Sequence, residues 1–434
     1  MDKLIEAREL FTNFYTFEGV VKALNGVGIV IRRGETYALV GESGCGKSVT
    51  VRSLMRIVQS PGRIMNGNIL FFTGTSAEKQ ESIDLLHSTE FFMQKTRGND
   101  ISMIFQEAST ALNPVFTVGY QVAESFQLHR KREMLEEVIG VISSQSPQNA
   151  LSRFWKKIQL ALFQRELGFL ERYENTMRKI DRMLYELDDK SSPEAAEKNR
   201  RLQKKQENLP RNDFLVRLMQ KLPFLRSYRK PLKKVIKNHV ITLLTELGIP
   251  NPDNAYVRYP HELSGGMQQR IIIAIALACH PVLLIADEPT SNLDVTIQAQ
   301  ILDLIKKLKT SQISSVLFIT HDLGVVAEIC DRVSVMYAGD VMETGSVQTI
   351  FSNPLHPYTK GLLNSLPKID QAGELDTIAG HVPNLINPPA GCRFHPRCPH
   401  VMTICTKIKP TVTFFSSEHS VSCYLYPQKE NPGE

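Results

Sequence analysis

Short apolar runs recur along this chain, and several of them end abruptly in polar residues. The clearest occupy residues 36–40, 283–286 and 316–319, and residues 3–40 as a whole have the composition of strands. Runs of this length without alternation are typical of strands buried on both faces of a parallel sheet. The pattern therefore predicts an α/β fold with functional groups at the carboxyl ends of the strands.

A second pattern, helical and highly charged, occupies residues 131–238. Within it, apolar residues recur at spacings of three and four, which is typical of the seam between packed helices. The seam consists of Leu170, Tyr173, Met177, Ile180, Leu184 and Leu187. Residues 188–193 interrupt the pattern, and a weaker helical pattern follows at 194–208. These features predict a helical hairpin inserted into the domain.

Composition is typical of a globular chain that does not span a membrane. The chain has 434 residues, of which 42% are hydrophobic and 22% charged, and its longest apolar block, at 271–286, is interrupted by His280 and Pro281. No signal-peptide pattern opens the sequence. We therefore expect a cytosolic protein of two or three domains, whose seven cysteines are reduced thiols or metal ligands.

The positive charge is concentrated in the inserted segment. The formal net charge is +6, whereas residues 131–240 hold 25 Lys and Arg against 14 Asp and Glu. A basic segment can bind nucleic acid or an anionic membrane surface, or it can simply be a solvated helical face. The charge pattern leaves these alternatives open.

A phosphate-binding loop follows the strand at 36–40. Residues 41–48 read Gly-Glu-Ser-Gly-Cys-Gly-Lys-Ser and lead into a helical pattern at 49–57. Glycines in such a loop let backbone N–H groups surround phosphates, and the helix N-terminus adds a favourable dipole. Lys47 is placed to reach the terminal phosphates, and the Ser48 hydroxyl to ligate Mg²⁺. The predicted nucleotide-binding residues are Gly41, Ser43, Gly44, Cys45, Gly46, Lys47, Ser48 and Val49.

Other polar residues at strand ends suit phosphate chemistry. Gln106, the adjacent pair Asp287 and Glu288, and His321 each follow an apolar strand pattern. Two neighbouring carboxylates are unfavourable at the end of a buried strand unless they bind a metal or take part in chemistry. Taken singly, each of these residues also fits a solvated surface position.

A second anion site is predicted at Ser264, Gly265 and Gly266, which open a strongly apolar helical pattern at 271–278. Free N–H groups and a small hydroxyl at a helix start suit an anion, and the alternative is a plain helix cap. Among the aromatic residues near the N-terminus, Phe14 is our candidate for stacking on an adenine ring, with strand packing as the alternative.

Four of the cysteines lie close together near the C-terminus, separated by five, six and seventeen residues. They are Cys392, Cys398, Cys405 and Cys423. In a reduced chain this density suggests a tetrathiolate metal site. The spacing differs from the paired Cys-x-x-Cys of zinc ribbons, and an iron–sulfur cluster, a zinc ion and metal-free thiols all remain open.

These elements, in this order, resemble the ATP-binding-cassette (ABC) ATPases over about residues 3–350, apart from the insertion. The matching motifs are Walker A at 41–48, the Q-loop at Gln106, the LSGGQ-like signature at 263–268, Walker B at 283–288, the D-loop at 291–294 and the H-switch at His321. The resemblance implies a P-loop nucleotide-binding domain of ABC type. Such a domain has a RecA-like core and a helical subdomain, here with the inserted hairpin.

The resemblance also implies a mechanism in which two cassettes dimerise head to tail with ATP between them. Asp287, with Ser48 and Gln106, would hold Mg²⁺, Glu288 would polarise the attacking water, and His321 would contact the γ-phosphate. The signature of the opposite cassette would complete each site. In this chain the signature and D-loop residues are Ser264, Gly265, Gly266, Gln268 and Asp294.

Several segments resemble the ATPases of oligopeptide and dipeptide importers, namely residues 105–114, 259–263, 335–339 and 356–359, and residues 320–327 resemble the D-type subunit. This implies an F-type partner ATPase, two membrane-spanning permease subunits and an extracytoplasmic peptide-binding protein. It implies a position at the cytoplasmic face of the membrane and no nucleic-acid partner. It also implies that the four clustered cysteines hold a [4Fe–4S] cluster.

We expect four parts. They are the first part of the ATPase domain (1–130), the basic insertion (131–238), the second part of the ATPase domain (239–350) and a small Cys-rich regulatory domain (351–434). The insertion departs from the family pattern, which does not assign it a role. A DNA-maintenance ATPase with a coiled-coil arm is an alternative, although the arm is short and lacks a Cys-x-x-Cys hook. A translation-type ATPase is a third alternative, but such proteins usually carry two cassettes in one chain, whereas this chain has one.

Overall fold

The computed structural model describes residues 2–73, 81–106, 108–188, 193–210, 213, 216, 225–291, 293–311, 315–366 and 378–427. The predicted helix break therefore lies largely outside the described residues. The chain forms two compact units. Unit 1 comprises Met1–Leu86, Ile101–Gln106 and Pro281–Glu434, and unit 2 comprises His87–Asp100 and Glu107–His280.

The strands lie in unit 1 and include all of the apolar runs. They are β1 (Lys3–Thr16), β2 (Gly19–Arg32), β3 (Thr36–Val40), β4 (Gly62–Thr73), β5 (Glu81–Asp84), β6 (Ile101–Ile104), β7 (Leu283–Asp287), β8 (Ser315–Thr320), β9 (Arg332–Tyr337), β10 (Asp340–Ser346), β11 (Thr413–Phe414) and β12 (Ser420–Val421). Within the described residues they form an eight-stranded sheet in the order β11-β12-β10-β9-β3-β8-β7-β6. A four-stranded antiparallel sheet has the order β2-β1-β4-β5.

The centre of the larger sheet, from β9 to β6, is parallel. Every residue of β3, β7 and β8 is buried, which explains why these runs do not alternate. Val40 lies opposite Thr320, and Asp287 lies opposite Ile319. The carboxyl ends of these strands therefore meet at one edge of the sheet, where the predicted polar residues follow.

Helices occupy both units. They are α1 (Lys47–Leu54), α2 (Glu90–Thr96), α3 (Ala108–Ala111), α4 (Val118–His129), α5 (Lys131–Ser144), α6 (Ala150–Asp188), α7 (Pro193–Asn208), α8 (Lys230–Glu246), α9 (Pro252–Val257), α10 (Gly265–Leu277), α11 (Val295–Ser311), α12 (Leu323–Ile329), α13 (Val347–Ser352) and α14 (Pro357–Asn364). Helix α8 runs without interruption through the expected boundary at 238/239, since its apolar face continues to Leu244. None of the helices in the described parts of the chain combines the length and apolarity needed to cross a membrane.

The insertion is dominated by α6, which is 39 residues long. Its seam faces the protein interior, and the buried residues there are Met177, Ile180 and Leu184. Helix α7 returns beside α6, with the side-chain amide of Gln206 donating to Asp181 at 3.0 Å. The seam spacing thus coincides with the buried side of this helix.

A buried ion cluster fixes the middle of α6. Glu166 is only 3% exposed, and its carboxylate lies 2.9 Å from the ammonium of Lys131 and 2.8 Å from the guanidinium of Arg229. These cations come from the start of α5 and from the residue before α8. A buried carboxylate needs such partners, because burial without them is strongly unfavourable. The cluster therefore joins α6 to both ends of the insertion.

The C-terminal region belongs to unit 1 and is not a separate compact unit. Strand β12 pairs with β10, and Phe394 packs at 5.1 Å from Tyr337 and 5.3 Å from Tyr358. The fully buried carboxylate of Glu343 lies 2.8 Å from the His419 ring nitrogen. Strands as short as β11 and β12 cannot enclose a core alone, so the region shares the core of the larger sheet.

Candidate nucleotide-binding site

The phosphate-binding loop joins β3 to α1 and is shaped by glycines with positive φ. The φ angle is 151° at Gly41, 78° at Gly44 and 105° at Gly46, conformations that residues with a Cβ rarely adopt. A Cβ on Gly41 would also lie 2.1 Å from a carbonyl oxygen of β9. The buried Lys47 ammonium donates to the carbonyl oxygens of Gly41 at 2.7 Å and Glu42 at 3.1 Å. These bonds hold the cation over the loop, where it can neutralise phosphate charge.

Ser48 and Asp287 place two side-chain oxygen atoms next to each other. The Ser48 hydroxyl donates to a carboxylate oxygen of Asp287 at 3.0 Å, and Asp287 is 1% exposed. Burial raises the pKa of Asp287, and the hydrogen bond from Ser48 opposes this shift. Carboxylate and hydroxyl oxygens are the ligands that Mg²⁺ prefers. The pair therefore fits a magnesium ion that also contacts phosphate oxygens.

Gln106 and His321 both approach the side chain of Glu288. The side-chain amide of Gln106 donates to one Glu288 carboxylate oxygen at 3.0 Å, and His321 Nδ1 lies 3.4 Å from the other. The Ser291 hydroxyl bonds to the carbonyl oxygens of Glu288 at 2.9 Å and Gln106 at 3.1 Å. Glu288 has a positive φ of 46°, which is uncommon for a residue other than glycine. The turn after β7 thus aims this carboxylate at both strand ends beside it.

The signature residues lie in unit 2 at the start of α10. Helix α10 begins at Gly265, and Ser264 at its N-cap position makes no side-chain hydrogen bond to the first turn. Ser264 is exposed, so it is a helix cap by position without a side-chain capping bond. The side-chain amide of Gln268 donates to the carbonyl oxygens of Pro260 at 2.9 Å and Leu263 at 3.1 Å. Gln268 thereby fixes the chain that enters the helix.

Two further candidates have structural partners of their own. Phe14 is half-buried in β1, and its ring lies against Gly62 of the neighbouring strand. Asp294 accepts a hydrogen bond from the Ile297 N–H at 2.9 Å and so caps the start of α11. Strand packing and helix capping account for these positions, and neither contact tests a role in nucleotide binding.

The C-terminal region contributes residues to the phosphate-binding loop that the sequence does not reveal. The Arg397 guanidinium contacts both carboxylate oxygens of Glu42, at 2.7 Å and 3.1 Å. The Tyr358 hydroxyl accepts a hydrogen bond from the Glu42 N–H at 3.0 Å. Glu42 is the second residue of Walker A. In the sequence, Tyr358 lies in a segment that indicated only the family resemblance, and Arg397 lies beside a cysteine that indicated only a metal site. Neither pattern indicated a contact with the phosphate-binding loop.

The clustered cysteines surround one small cavity of about 10 Å³. Its cysteine lining consists of Cys392, Cys398, Cys405 and Cys423. Burial raises the pKa of Cys392 to about 12, and it also raises the pKa of Cys398 and Cys423. Among the described residues, no three His, Cys, Asp or Glu side chains are grouped closely enough to hold a metal ion. The thiols therefore share a cavity without converging on one point.

Comparison with protein families gives two matches. A family model described as "ABC transporter" matches residues 24–291. A second, described as "Oligopeptide/dipeptide transporter, C-terminal region", matches residues 342–405. The second match covers Tyr358, Arg397 and three of the four clustered cysteines.

Similar curated proteins align with nearly the whole chain. The dipeptide transport ATP-binding protein DppD of Bacillus subtilis is 37% identical over 431 residues, which cover 99% of this chain and 96% of DppD. The oligopeptide transport ATP-binding protein AppD of the same organism is 37% identical over 431 residues, covering 99% and 98%. A putative peptide import ATP-binding protein of Brucella ovis is 36% identical over 435 residues, covering 98% of each chain.

Proposed function

Because this chain belongs to the family of ATP-binding subunits of peptide ABC transporters, we propose that it hydrolyses ATP to drive import of oligopeptides or dipeptides across the cytoplasmic membrane. The observation that carries the chemistry is the carboxylate pair at the end of β7. Asp287 is bonded to the Ser48 hydroxyl, and Glu288 is bonded to Gln106 and lies near His321. Adjacent acids with such different partners suit one metal ligand and one water-positioning residue.

We assign the roles within unit 1 as follows. The N–H groups of residues 41–49 and the Lys47 ammonium bind the phosphates, and Ser48, Asp287 and Gln106 hold Mg²⁺. The ion would supply charge neutralisation at the phosphates. Glu288 positions the attacking water, and His321 contacts the γ-phosphate. The support is that these residues follow neighbouring strands of one sheet, that Ser48 bonds to Asp287, and that Gln106 and His321 both approach Glu288.

The site needs a second cassette. Ser264, with Gly265 and Gly266, presents an exposed hydroxyl and a free helix start, which suit the γ-phosphate of an ATP bound to another subunit. Gln268 and Asp294 position the signature and D-loop at that interface. We propose that the second cassette is an F-type partner, and that two permease subunits and an extracytoplasmic peptide-binding protein complete the importer. The chain would lie peripherally at the cytoplasmic face, with no nucleic acid bound.

We propose that the cysteine cavity is a tetrathiolate site for a [4Fe–4S] cluster. The support is that four thiols line one cavity, since clusters of this kind are held by four cysteine thiolates. Anaerobically purified protein should show visible absorption and iron. Stoichiometric zinc without iron, or neither metal, would contradict the proposal.

We retain the four-part organisation of 1–130, 131–238, 239–350 and 351–434 as a functional proposal. The second and third parts share α8, and the fourth shares the core of unit 1. The insertion is supported as an added element by its charge and by its long helix α6. Adenine stacking by Phe14 remains a proposal. Replacing Phe14 with a non-aromatic residue and measuring the affinity for ATP would test it.

The function is tested by copurification from detergent-solubilised membranes. The tagged chain should bring down two permease subunits and a second ATPase, and the assembly should hydrolyse ATP in response to peptide-loaded binding protein. DNA-stimulated ATPase activity without any membrane partner would contradict the importer assignment. It would favour the DNA-maintenance class instead.

A further inference from the structure

One surface of the insertion is explained neither by ATP hydrolysis nor by helix packing. It consists of residues 145–158, the turn between α5 and α6 and the first turns of α6, which we name the insertion tip. Leu151 is 70% exposed and Phe154 is 61% exposed, although apolar side chains of this size are usually buried. The tip also contains Trp155, the only tryptophan of the chain.

The exposed apolar side chains form one face of α6. Their spacing of three and four residues places them along one side of the helix. The face consists of the exposed Leu151 and Phe154 and the half-buried Trp155 and Ile158. On another side of the helix, the Lys156 ammonium donates to the carbonyl oxygens of Ser143 and Gln145, both at 2.7 Å. Lys156 thereby ties the start of α6 to the end of α5, so the apolar face is presented by a fixed element.

The charge around this face has a single sign. Residues 138–165 contain no Asp or Glu, and their cations are Arg153, Lys156, Lys157 and Arg165. Arg165 pairs with Asp213 at 3.1 Å. Arg153 and Lys157 have no carboxylate partner among the described residues. Two long cationic side chains are thus available beside an aromatic and aliphatic stripe.

We propose that the insertion tip docks on the surface of an anionic phospholipid bilayer. Aromatic and aliphatic side chains enter the headgroup region, while Arg and Lys on the polar side reach the lipid phosphates. Tryptophan is favoured at this interface because its ring is apolar with one polar edge. A protein partner would have to supply carboxylates matched to Arg153 and Lys157, whereas an anionic lipid surface supplies negative charge throughout.

The insertion tip lies far along α6 from the ion cluster at Glu166. Sixteen residues of continuous helix separate Ala150 from Glu166, which corresponds to roughly 24 Å. This reach lets the tip contact a surface without displacing the ion cluster. The proposal concerns docking alone, so it can fail while the ATPase assignment holds, and the reverse is equally possible.

Trp155 makes the test direct because no other tryptophan contributes to the emission. The full-length chain is mixed with vesicles of phosphatidylglycerol and phosphatidylcholine, and in parallel with phosphatidylcholine alone. We expect a blue shift and quenching by lipids brominated near the headgroup, with the anionic vesicles only, and release as salt is raised. Unchanged emission with anionic vesicles would overturn the proposal.

Two double variants separate the contribution of the cationic side chains from that of the apolar side chains. Arg153→Glu with Lys157→Glu should lower the partition onto anionic vesicles by at least about thirtyfold, the loss expected from removing two cations at such a surface. Leu151→Ser with Phe154→Ser keeps the reporter and should abolish the blue shift. All four side chains are exposed, so unchanged thermal unfolding should verify that each variant folds.

The matched control reverses the same amount of charge elsewhere in the insertion. Arg200 and Lys204 are exposed on α7, which packs beside α6 near Asp181, roughly 40 Å of helix away from Arg153. Arg200→Glu with Lys204→Glu should leave binding within about twofold, since that separation exceeds the Debye length. Equal loss in both charge variants would overturn a local site. Emission that shifts only when permease subunits are added would show a protein occupant and also overturn it.

Discussion

Arg397, together with Tyr358, joins the C-terminal region to the phosphate-binding loop. Its guanidinium contacts Glu42 at two points and also donates to the carbonyl oxygens of Ile378 and Ala379, at 3.1 Å and 2.9 Å. The hydrogen bonds to Glu42 raise the pKa of Arg397 further above its usual range. With its side chain 6% exposed, the ion pair is shielded from solvent and is geometrically fixed.

Replacing Arg397 with Ala should therefore weaken ATP binding by about tenfold, since a charge-assisted bond is worth about 1.5–3 kcal/mol and only part of it bears on the loop. Isothermal titration with a non-hydrolysable analogue measures this. Arg397→Lys should be intermediate, because lysine cannot bind a carboxylate at two points. Glu42→Gln combined with Arg397→Ala should be no worse than Arg397→Ala alone. An unchanged affinity in the folded Arg397→Ala variant would contradict the coupling.

Glu288→Gln keeps the size of the side chain but removes the charge that, under the proposed function, activates water. Hydrolysis should fall by about 10²–10⁴-fold while ATP binding is retained. Phosphate release measures the loss of hydrolysis, in an assay where the proposed partner ATPase is disabled. Nucleotide retention measures ATP binding. The matched control is Glu328→Gln, an exposed carboxylate paired with Lys306. Normal turnover by Glu288→Gln would refute the assignment.

The strand-end residues could be predicted because buried parallel strands leave a strong signal, and their carboxyl ends must lie together. The sequence thus predicted the α/β cassette fold, which the family match confirms. The pairing of Arg397 with Glu42 could not be predicted, because 355 residues separate them and no periodicity links them. The positive φ of Glu288 could not be predicted either, because a glutamate does not mark a left-handed turn in the sequence as a glycine would.

At the scale of elements, α6 shows how a seam and an exposed face can share one helix. Met177, Ile180 and Leu184 are buried, whereas Met183, between them in sequence, is 46% exposed. The spacing of three and four predicted this difference, because it follows the helical period. The end of the insertion was harder to place, since α8 is amphipathic throughout and offers no break at residue 238.

Met177→Ala should destabilise the α6–α7 segment by about 2–5 kcal/mol, since it removes buried side-chain volume. Met183→Ala is the matched control and should change stability by less than about 0.5 kcal/mol. Hydrogen exchange of the amides in α6 and α7 measures both. Equal protection in the two variants would show that the seam does not hold the segment together.

At the scale of the whole molecule, the C-terminal region is part of the cassette core. Glu343 is buried on β10 and accepts hydrogen bonds from the N–H groups of Leu355 and His356, besides its contact with His419. Burial tends to raise the pKa of Glu343, but these hydrogen bonds outweigh it and lower the pKa. The carboxylate therefore depends on residues that come much later in the chain.

A chain that ends at residue 377 loses β12, His419 and Arg397 together. We expect a lower melting temperature and weaker ATP binding, because Glu343 keeps a buried charge without its imidazole partner. Removing only residues 428–434 is the control and leaves these contacts in place. Differential scanning calorimetry and nucleotide titration measure both. A truncated chain as stable as the full one would show that the region folds independently.

The ion cluster at Glu166 also divides α6 into two arms of unequal length. Roughly 24 Å of helix extend from Glu166 to the insertion tip, and roughly 33 Å extend the other way to Asp188. On the second arm, Asp181 accepts a hydrogen bond from Thr89, at the N-cap of α2. This hydrogen bond therefore joins α2 to the longer arm of the same helix that carries the insertion tip.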